Sequence, residues 1–226
     1  MISIRNLSKS YKTHAVLEGI QKTFQKGKIY GIVGANGAGK STLFRCITGL
    51  IPYKGIIEYG LPDIRYKIGY LETDPSMIDL ITGKEYLHIM RTARRLPPID
   101  YNIRNLFQLP LDRYASTYST GMLKKLALTG VLLQENEIYI LDEPFNGVDI
   151  QSNVILSEIF KRLKDKGATL LISSHILSTL TELCDEISIL ENGDLSHTYL
   201  SDQFGELSSK YTKDILAQDL DKLSWI

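Results

Sequence analysis

Cysteine is scarce: Cys46 and Cys184 are the only two in 226 residues. They lie far apart and outside any metal-ligand spacing, so both read as buried thiols rather than as a disulfide or a metal site. Net charge is missing as well. Lys and Arg number 26 and Asp and Glu 26, which leaves no global positive field to hold a phosphate backbone and argues against a general nucleic-acid coat protein. Long apolar runs are absent. The longest uncharged stretch, residues 167–181, is shorter than the ~20 residues a bilayer crossing needs and is rich in Ser and Thr. Residues 1–7 alternate apolar and polar, without the continuous apolar stretch of a signal peptide, so a cytosolic location is expected. There is no internal repeat and no low-complexity tract.

What is present is an ordinary globular composition, 43% hydrophobic and 23% charged, in a chain long enough to bury a core unaided. Charge is unevenly spread. From Glu182 onward ten acids face three lysines, whereas residues 84–113 carry six bases against three acids. Solvated helix faces account for both; a docking surface is the other reading.

Periodicity predicts strands at residues 2–7 and 16–24, then a continuously apolar, fully buried strand at 29–33. A glycine-rich turn follows, with a helix over 40–48. Strands are expected at 56–59 and 68–71. Thr82-Gly83-Lys84-Glu85 is a capping box that opens a helix running to about Leu96, where Pro97-Pro98 stops it. A helical insertion spans roughly 75–133, including a helix over 123–133. Strand and helix then alternate: strands at 138–141, 168–173 and 186–190, helices at 149–164 and 176–184. That alternation calls for an α/β fold with a parallel sheet. Asn192-Gly193 makes a turn, and residues 214–223 form a short final helix.

The segment from Gly34 to Ser41, Gly-Ala-Asn-Gly-Ala-Gly-Lys-Ser, matches the phosphate-binding loop pattern, directly after a buried strand and before a helix. Backbone N–H groups of Gly34, Asn36, Gly37, Ala38 and Gly39 can point at phosphates, and the helix N-terminus adds about half a positive charge. Lys40 can reach the β- and γ-phosphates. Ser41 offers a hydroxyl to Mg²⁺ and Thr42 one to a phosphate oxygen. About a hundred residues on, an apolar strand ends in Asp142-Glu143. Asp142 then sits at the sheet edge where ligands of open α/β sheets bind, as the Mg²⁺ holder, and Glu143 can polarise a water for attack on the γ-phosphate. The pair marks an NTP hydrolase rather than a nucleotide kinase, which needs no general-base carboxylate beside the metal Asp.

Tyr118-Ser119-Thr120-Gly121-Met122 precedes a helix about twenty residues before Asp142, and it resembles the signature motif of ATP-binding cassette (ABC) ATPases, usually Leu-Ser-Gly-Gly-Gln. The segment from Asp142 to Asp149 is similar to the family's stretch through the D-loop, and Ser173-Ser174-His175 to its switch histidine. The resemblance covers about residues 2–195. It implies a phosphate-loop α/β core with an antiparallel β portion, a helical signature subdomain at about 75–133 and a short C-terminal extension at about 196–226, all in one ATP-binding domain. It further implies Tyr11 stacking on adenine, His175 on the γ-phosphate, and Ser119 and Gly121 binding the γ-phosphate held by another subunit. The implied cofactors are ATP and Mg²⁺. The implied partners are a second copy or a related cassette, head to tail, and a separate permease at the inner face of the cell membrane. No nucleic acid is expected. His14, His88 and His197 lack partner spacing and read as ordinary core or surface residues.

Departures accompany the resemblance. Thr120 stands at a usual Gly and Met122 at a usual Gln, a variant that with the short tail leans towards an exporter. The Gln that touches Mg²⁺ and senses the permease is missing. Glu72, Thr73 and Asp74 follow Leu71 instead, and Glu72 is taken as the metal-edge candidate, with Thr73 the alternative. A second reading is a soluble ABC ATPase acting on nucleic acid or the ribosome; such relatives carry paired cassettes, coiled coils, zinc modules or basic arms. A third, a non-hydrolytic regulatory module, would lack Glu143.

Overall fold

The structure, a computed structural model, describes residues 1–220, with side chains through Lys213 apart from those of Ser196 and Thr212. Among the described residues, nine strands form two sheets. β1 (Ile2–Tyr11), β2 (His14–Phe24) and β4 (Lys54–Tyr59) make an antiparallel sheet in the order β2-β1-β4. β3 (Ile29–Val33), β5 (Ile68–Leu71), β6 (Ile138–Asp142), β7 (Thr169–Ser174), β8 (Glu186–Glu191) and β9 (Asp194–Leu200) make the main sheet, ordered β5-β6-β7-β3-β8-β9. All its pairings are parallel except β8 with β9.

Every residue of β3, β6 and β7 is buried. Their unbroken apolar sequences follow from that, because a parallel sheet covered on both faces has no solvent side to mark with polar residues. Alternate residues serve different layers. Ile29 and Val33 pack with Ala127, Leu128, Leu156, Phe160 and Leu180 on one face. Tyr30 and Ile32 pack with Leu43 and Phe44 and with Ile2, Ile4 and Leu17 of the antiparallel sheet on the other. The helices are α1 (Lys40–Ile47), α2 (Gly83–Thr92), α3 (Thr120–Leu132), α4 (Ile150–Asp165), α5 (Leu177–Thr181) and α6 (Phe204–Leu220). A third cluster, Leu87, Tyr101, Leu109, Leu111, Ala115, Tyr118 and Leu126, lies entirely within the insertion.

Several boundaries differ from expectation. The capping box at Thr82 and Glu85 forms, but α2 ends at Thr92 rather than at Leu96, with Arg95 left-handed at φ 57° just beyond. Chain reversal before the proline pair ends the helix, and Arg91 braces it through the Pro97 and Leu133 carbonyls. α5 stops at Thr181 instead of 184. β9 was not expected: its polar Ser, His and Thr conceal a return strand whose register the left-handed Asn192-Gly193 turn fixes. It carries the main sheet past residue 196. α6 begins at Phe204, ten residues before the expected final helix, because Phe204 and Leu207 belong to the core. Residues 221–223 of that expected helix lie outside the described residues.

Candidate active site

The sheet order brings the chemistry together. Val33 is paired with Ser174 across β3 and β7, and Asp142 with Ser173 across β6 and β7. The loops leaving these three neighbouring strands therefore emerge side by side at the carboxyl edge, where strand order switches. Gly34, Asp142, Glu143 and His175 sit there.

The phosphate loop turns into α1 at Gly39, whose φ of 105° is a conformation L side chains rarely adopt; a Cβ there would also meet Val16 and Leu17 at 3.1 Å. α1 has no acidic residue in its first turn, so its N-terminal partial charge is unopposed. Lys40 is 6% exposed. Its Nζ donates to the carbonyls of Gly34 at 2.8 Å and Ala35 at 3.2 Å, and lies 3.3 Å from Glu143 Oε1. A cavity of about 340 Å³ opens beside it, lined by His14, Val16, Asn36, Gly37, Gly39, Lys40, Ser41, Thr42, Thr73 and Glu143.

Asp142 is 1% exposed, and both its oxygens are held by hydroxyls. Ser173 Oγ donates to Oδ1 at 2.5 Å, and Thr73 Oγ1 donates to Oδ2 at 2.7 Å. Ser173 Oγ also accepts the Glu143 N–H at 2.9 Å. Glu143 is left-handed at φ 50°, a conformation that costs about 1–3 kcal/mol for a residue with a Cβ and so marks a position the surroundings enforce. The turn sends its carboxylate back over the loop. Oε2 lies 2.9 Å from His175 Nδ1. Facing a carboxylate, Nδ1 carries a hydrogen and donates it to Oε2.

The structure thus gathers Lys40, Asp142, Glu143 and His175, with Ser41 and Thr42 on the same cavity. Glu72, the expected metal-edge residue, is not among the residues that line the cavity. The Glu72 carboxylate points to Arg45 Nη2 at 3.4 Å, while the next residue turns its hydroxyl to Asp142. Both residues lie in the loop after β5, whose course sends the two side chains to different partners. Tyr11 is 45% exposed with Lys9 Nζ 4.8 Å over its ring, and it is not among the cavity-lining residues. Its register partner His14, read as an ordinary residue, does line the cavity. Ser119 and Gly121 are not in the lining either. Ser119 caps α3, its exposed hydroxyl accepting the Met122 N–H at 3.3 Å. Sequence reading named Thr73 only as the alternative to Glu72, and it missed Ser173, His14, Val16 and Lys124. Only Thr73 carried a signal, as the neighbour of a carboxylate at a known gap.

Residues 17–146 match the family described as ABC transporter. The chain belongs to the ABC transporter family. Within it, the chain is an ATP-binding subunit and an ATPase. It is 32% identical to the ABC-type transporter ATP-binding protein EcsA of Bacillus subtilis (strain 168), over 91% of each chain. It is 30% identical to the SkfA peptide export ATP-binding protein SkfE of the same organism, over 96% of this chain and 95% of that one. A solved ATP-binding subunit of an ABC transporter superposes with a TM-score of 0.84 at 31% identity, covering 94% of this chain and 98% of that one. The phosphate-loop pattern of this ABC subunit lies within the matched residues. No helix among the described residues is long and apolar enough to cross a membrane.

Proposed function

We propose that this ABC ATPase works as a head-to-tail pair of cassettes, each ATP lying between the phosphate loop of one copy and Ser119 and Gly121 of the other. One observation carries this reading: the phosphate loop, Thr73 and Glu143 line one cavity, with Asp142 bonded to Thr73 and His175 to Glu143, while the exposed α3 N-terminus with Ser119 stands outside it. A helix N-terminus with free N–H groups and a hydroxyl is an anion site in need of an anion. The second cassette is a copy of this chain or a related subunit.

In each half, binding of the terminal phosphates requires Lys40 Nζ to exchange the Gly34 and Ala35 carbonyls and the Glu143 carboxylate for phosphate oxygens. Glu143 is then free to take the proton of an attacking water, and His175 Nδ1–H holds that carboxylate in place. Tyr11, on the rim near His14, is the aromatic for the adenine ring. The donors at the metal edge, the Ser41 and Thr73 hydroxyls and the Asp142 carboxylate, are hard oxygens of the kind Mg²⁺ takes alongside phosphates. In this reading Ser41, Asp142 and Thr73 hold the ion, which supplies charge neutralisation across the β- and γ-phosphates when bound.

A separate permease docks on the insertion at about 75–133 and on the loop after β5, placing the subunit at the inner face of the membrane. Exposed Ile78, Leu80 and Ile103 offer apolar contact there. The signature variant and the likeness to a peptide-export subunit support export. Light scattering on Glu143→Gln tests the pair: a dimer with ATP, a monomer with ADP, and a monomer with ATP once Ser119→Arg is added. An ATP dimer that survives Ser119→Arg removes the signature from the interface.

A further inference from the structure

Lys124 lies on α3, five residues after Ser119, and is 3% exposed. A buried ammonium persists only where its donors find acceptors. Its Nζ donates to the Glu72 carbonyl at 3.1 Å and the Asp142 carbonyl at 3.2 Å, and the Thr73 carbonyl is the third acceptor. These acceptors belong to two segments, the loop after β5 and the end of β6. Burial pulls the Lys124 pKa down, and the negative charges of Asp142, Asp74 and Glu143 oppose that pull. The hydrogen bonds themselves go to backbone carbonyls. The adjacent Lys125 donates to the Asp149 carboxylate that caps α4. Gly121 closes the same contact: a Cβ on it would lie 2.8 Å from the Gly147 carbonyl. One helix therefore grips the loop after β5, the end of β6 and the loop between β6 and α4.

The geometry points to Lys124 as a positioning residue that clamps the Thr73 loop against Asp142 and ties both to the helix bearing Ser119. This rests on Asp142 and Thr73 holding the metal. The Thr73 hydroxyl reaches Asp142 Oδ2 from a backbone that Lys124 holds by its carbonyl. Displacement of α3 is then transmitted to the metal edge through backbone rather than through side-chain contact alone.

The test compares wild type, Lys124→Met, Lys124→Arg and Asp142→Asn by Mg²⁺ titration of ATP turnover and by binding of ATP in chelator. Groups that orient metal ligands are worth about 10–100-fold in metal affinity or activity. Lys124→Met is expected to raise the Mg²⁺ concentration for half-maximal turnover by about tenfold, on that scale, with Mg²⁺-free ATP binding unchanged. Lys124→Arg, which keeps a charged donor group, restores most of the loss. If Lys124→Met does not fold, Lys124→Gln replaces it and is read in the same way. Native Mg²⁺ dependence in the Met or Gln variant, beside an impaired Asp142→Asn, overturns the clamp. An equal fall in Mg²⁺-free ATP binding and in turnover also overturns it, as general loosening. An unimpaired Asp142→Asn overturns the metal reading beneath it, and the clamp with it.

Discussion

The two oxygens of Glu143 face two different partners, with Oε1 3.3 Å from Lys40 Nζ and Oε2 2.9 Å from His175 Nδ1. One carboxylate thus joins the lysine of the phosphate-loop pattern to the histidine that follows β7. Both partners of the Lys40 pair are buried, at 7% and 8% side-chain exposure, so removing the charge from one acts strongly on the other.

Glu143→Gln keeps the shape and loses the proton acceptor. Turnover is expected to fall by about 10²–10⁴-fold, the usual contribution of a general base. ATP binding is retained or tightened, because Lys40 no longer leaves a carboxylate to reach a phosphate. Steady-state phosphate release and equilibrium ATP binding on the same preparation separate the two effects. Native turnover in this variant would take Glu143 out of the chemistry.

Thr73→Val removes one of the two hydroxyls on Asp142 while conserving volume. A lost hydrogen bond to a charged group is worth about 1.5–3 kcal/mol, or roughly 10–100-fold in turnover at limiting Mg²⁺. Glu72→Gln, which alters only a partly exposed pair with Arg45, is expected to leave turnover within about fivefold, given that surface pairs contribute about 0–1 kcal/mol. The opposite ranking of the two variants, read from Mg²⁺ titrations, would return Glu72 to the metal edge.

Gly121→Ala sets two effects against each other. Ala is favoured over Gly within a helix by about 1 kcal/mol, but the added Cβ would stand 2.8 Å from a backbone oxygen of Gly147. Overpacking against rigid backbone costs about 1–3 kcal/mol, so the clash prevails. A lowered thermal midpoint together with reduced turnover is the expected result. A raised midpoint would show that the loop at Gly147 yields freely.

The Asp149 carboxyl is held well below the usual range, first by the Lys125 side chain and then by the Ser152 N–H and hydroxyl. A carboxyl whose folded pKa lies below its unfolded value of about 3.9 contributes stability that is fully present above that value. The contribution is lost as pH falls through the folded pKa. Lys125→Met should therefore lower the thermal midpoint at neutral pH, and the gap from wild type should narrow as pH drops below about 4. A gap that is constant across that range would mean that the Lys125 bond carries no linked proton.

The order of elements and much of the site were legible in the sequence because local physics writes them there. Gly39 and Lys40 announce a phosphate loop by composition and spacing, Thr82 and Glu85 a helix start, and the apolar strand before Asp142 a position at the sheet edge. These signals act over a few residues and need no partner to be read. The rest depended on contacts between distant segments. That Thr73 rather than Glu72 meets Asp142 was decided by the course of the loop after β5 beside the end of β6. That Glu143 reaches both Lys40 and His175 was decided by β7 lying between β6 and β3, and by a left-handed turn no composition signals. Lys124 is a charged residue on a helix and reads as a solvated side chain until packing buries it over three carbonyls. β9 was hidden because its polar side chains are explained only by the strand it pairs with. Short-range chemistry is encoded in the order of residues; pairing across the sheet and the burial of a charge are fixed only when the whole core closes around them.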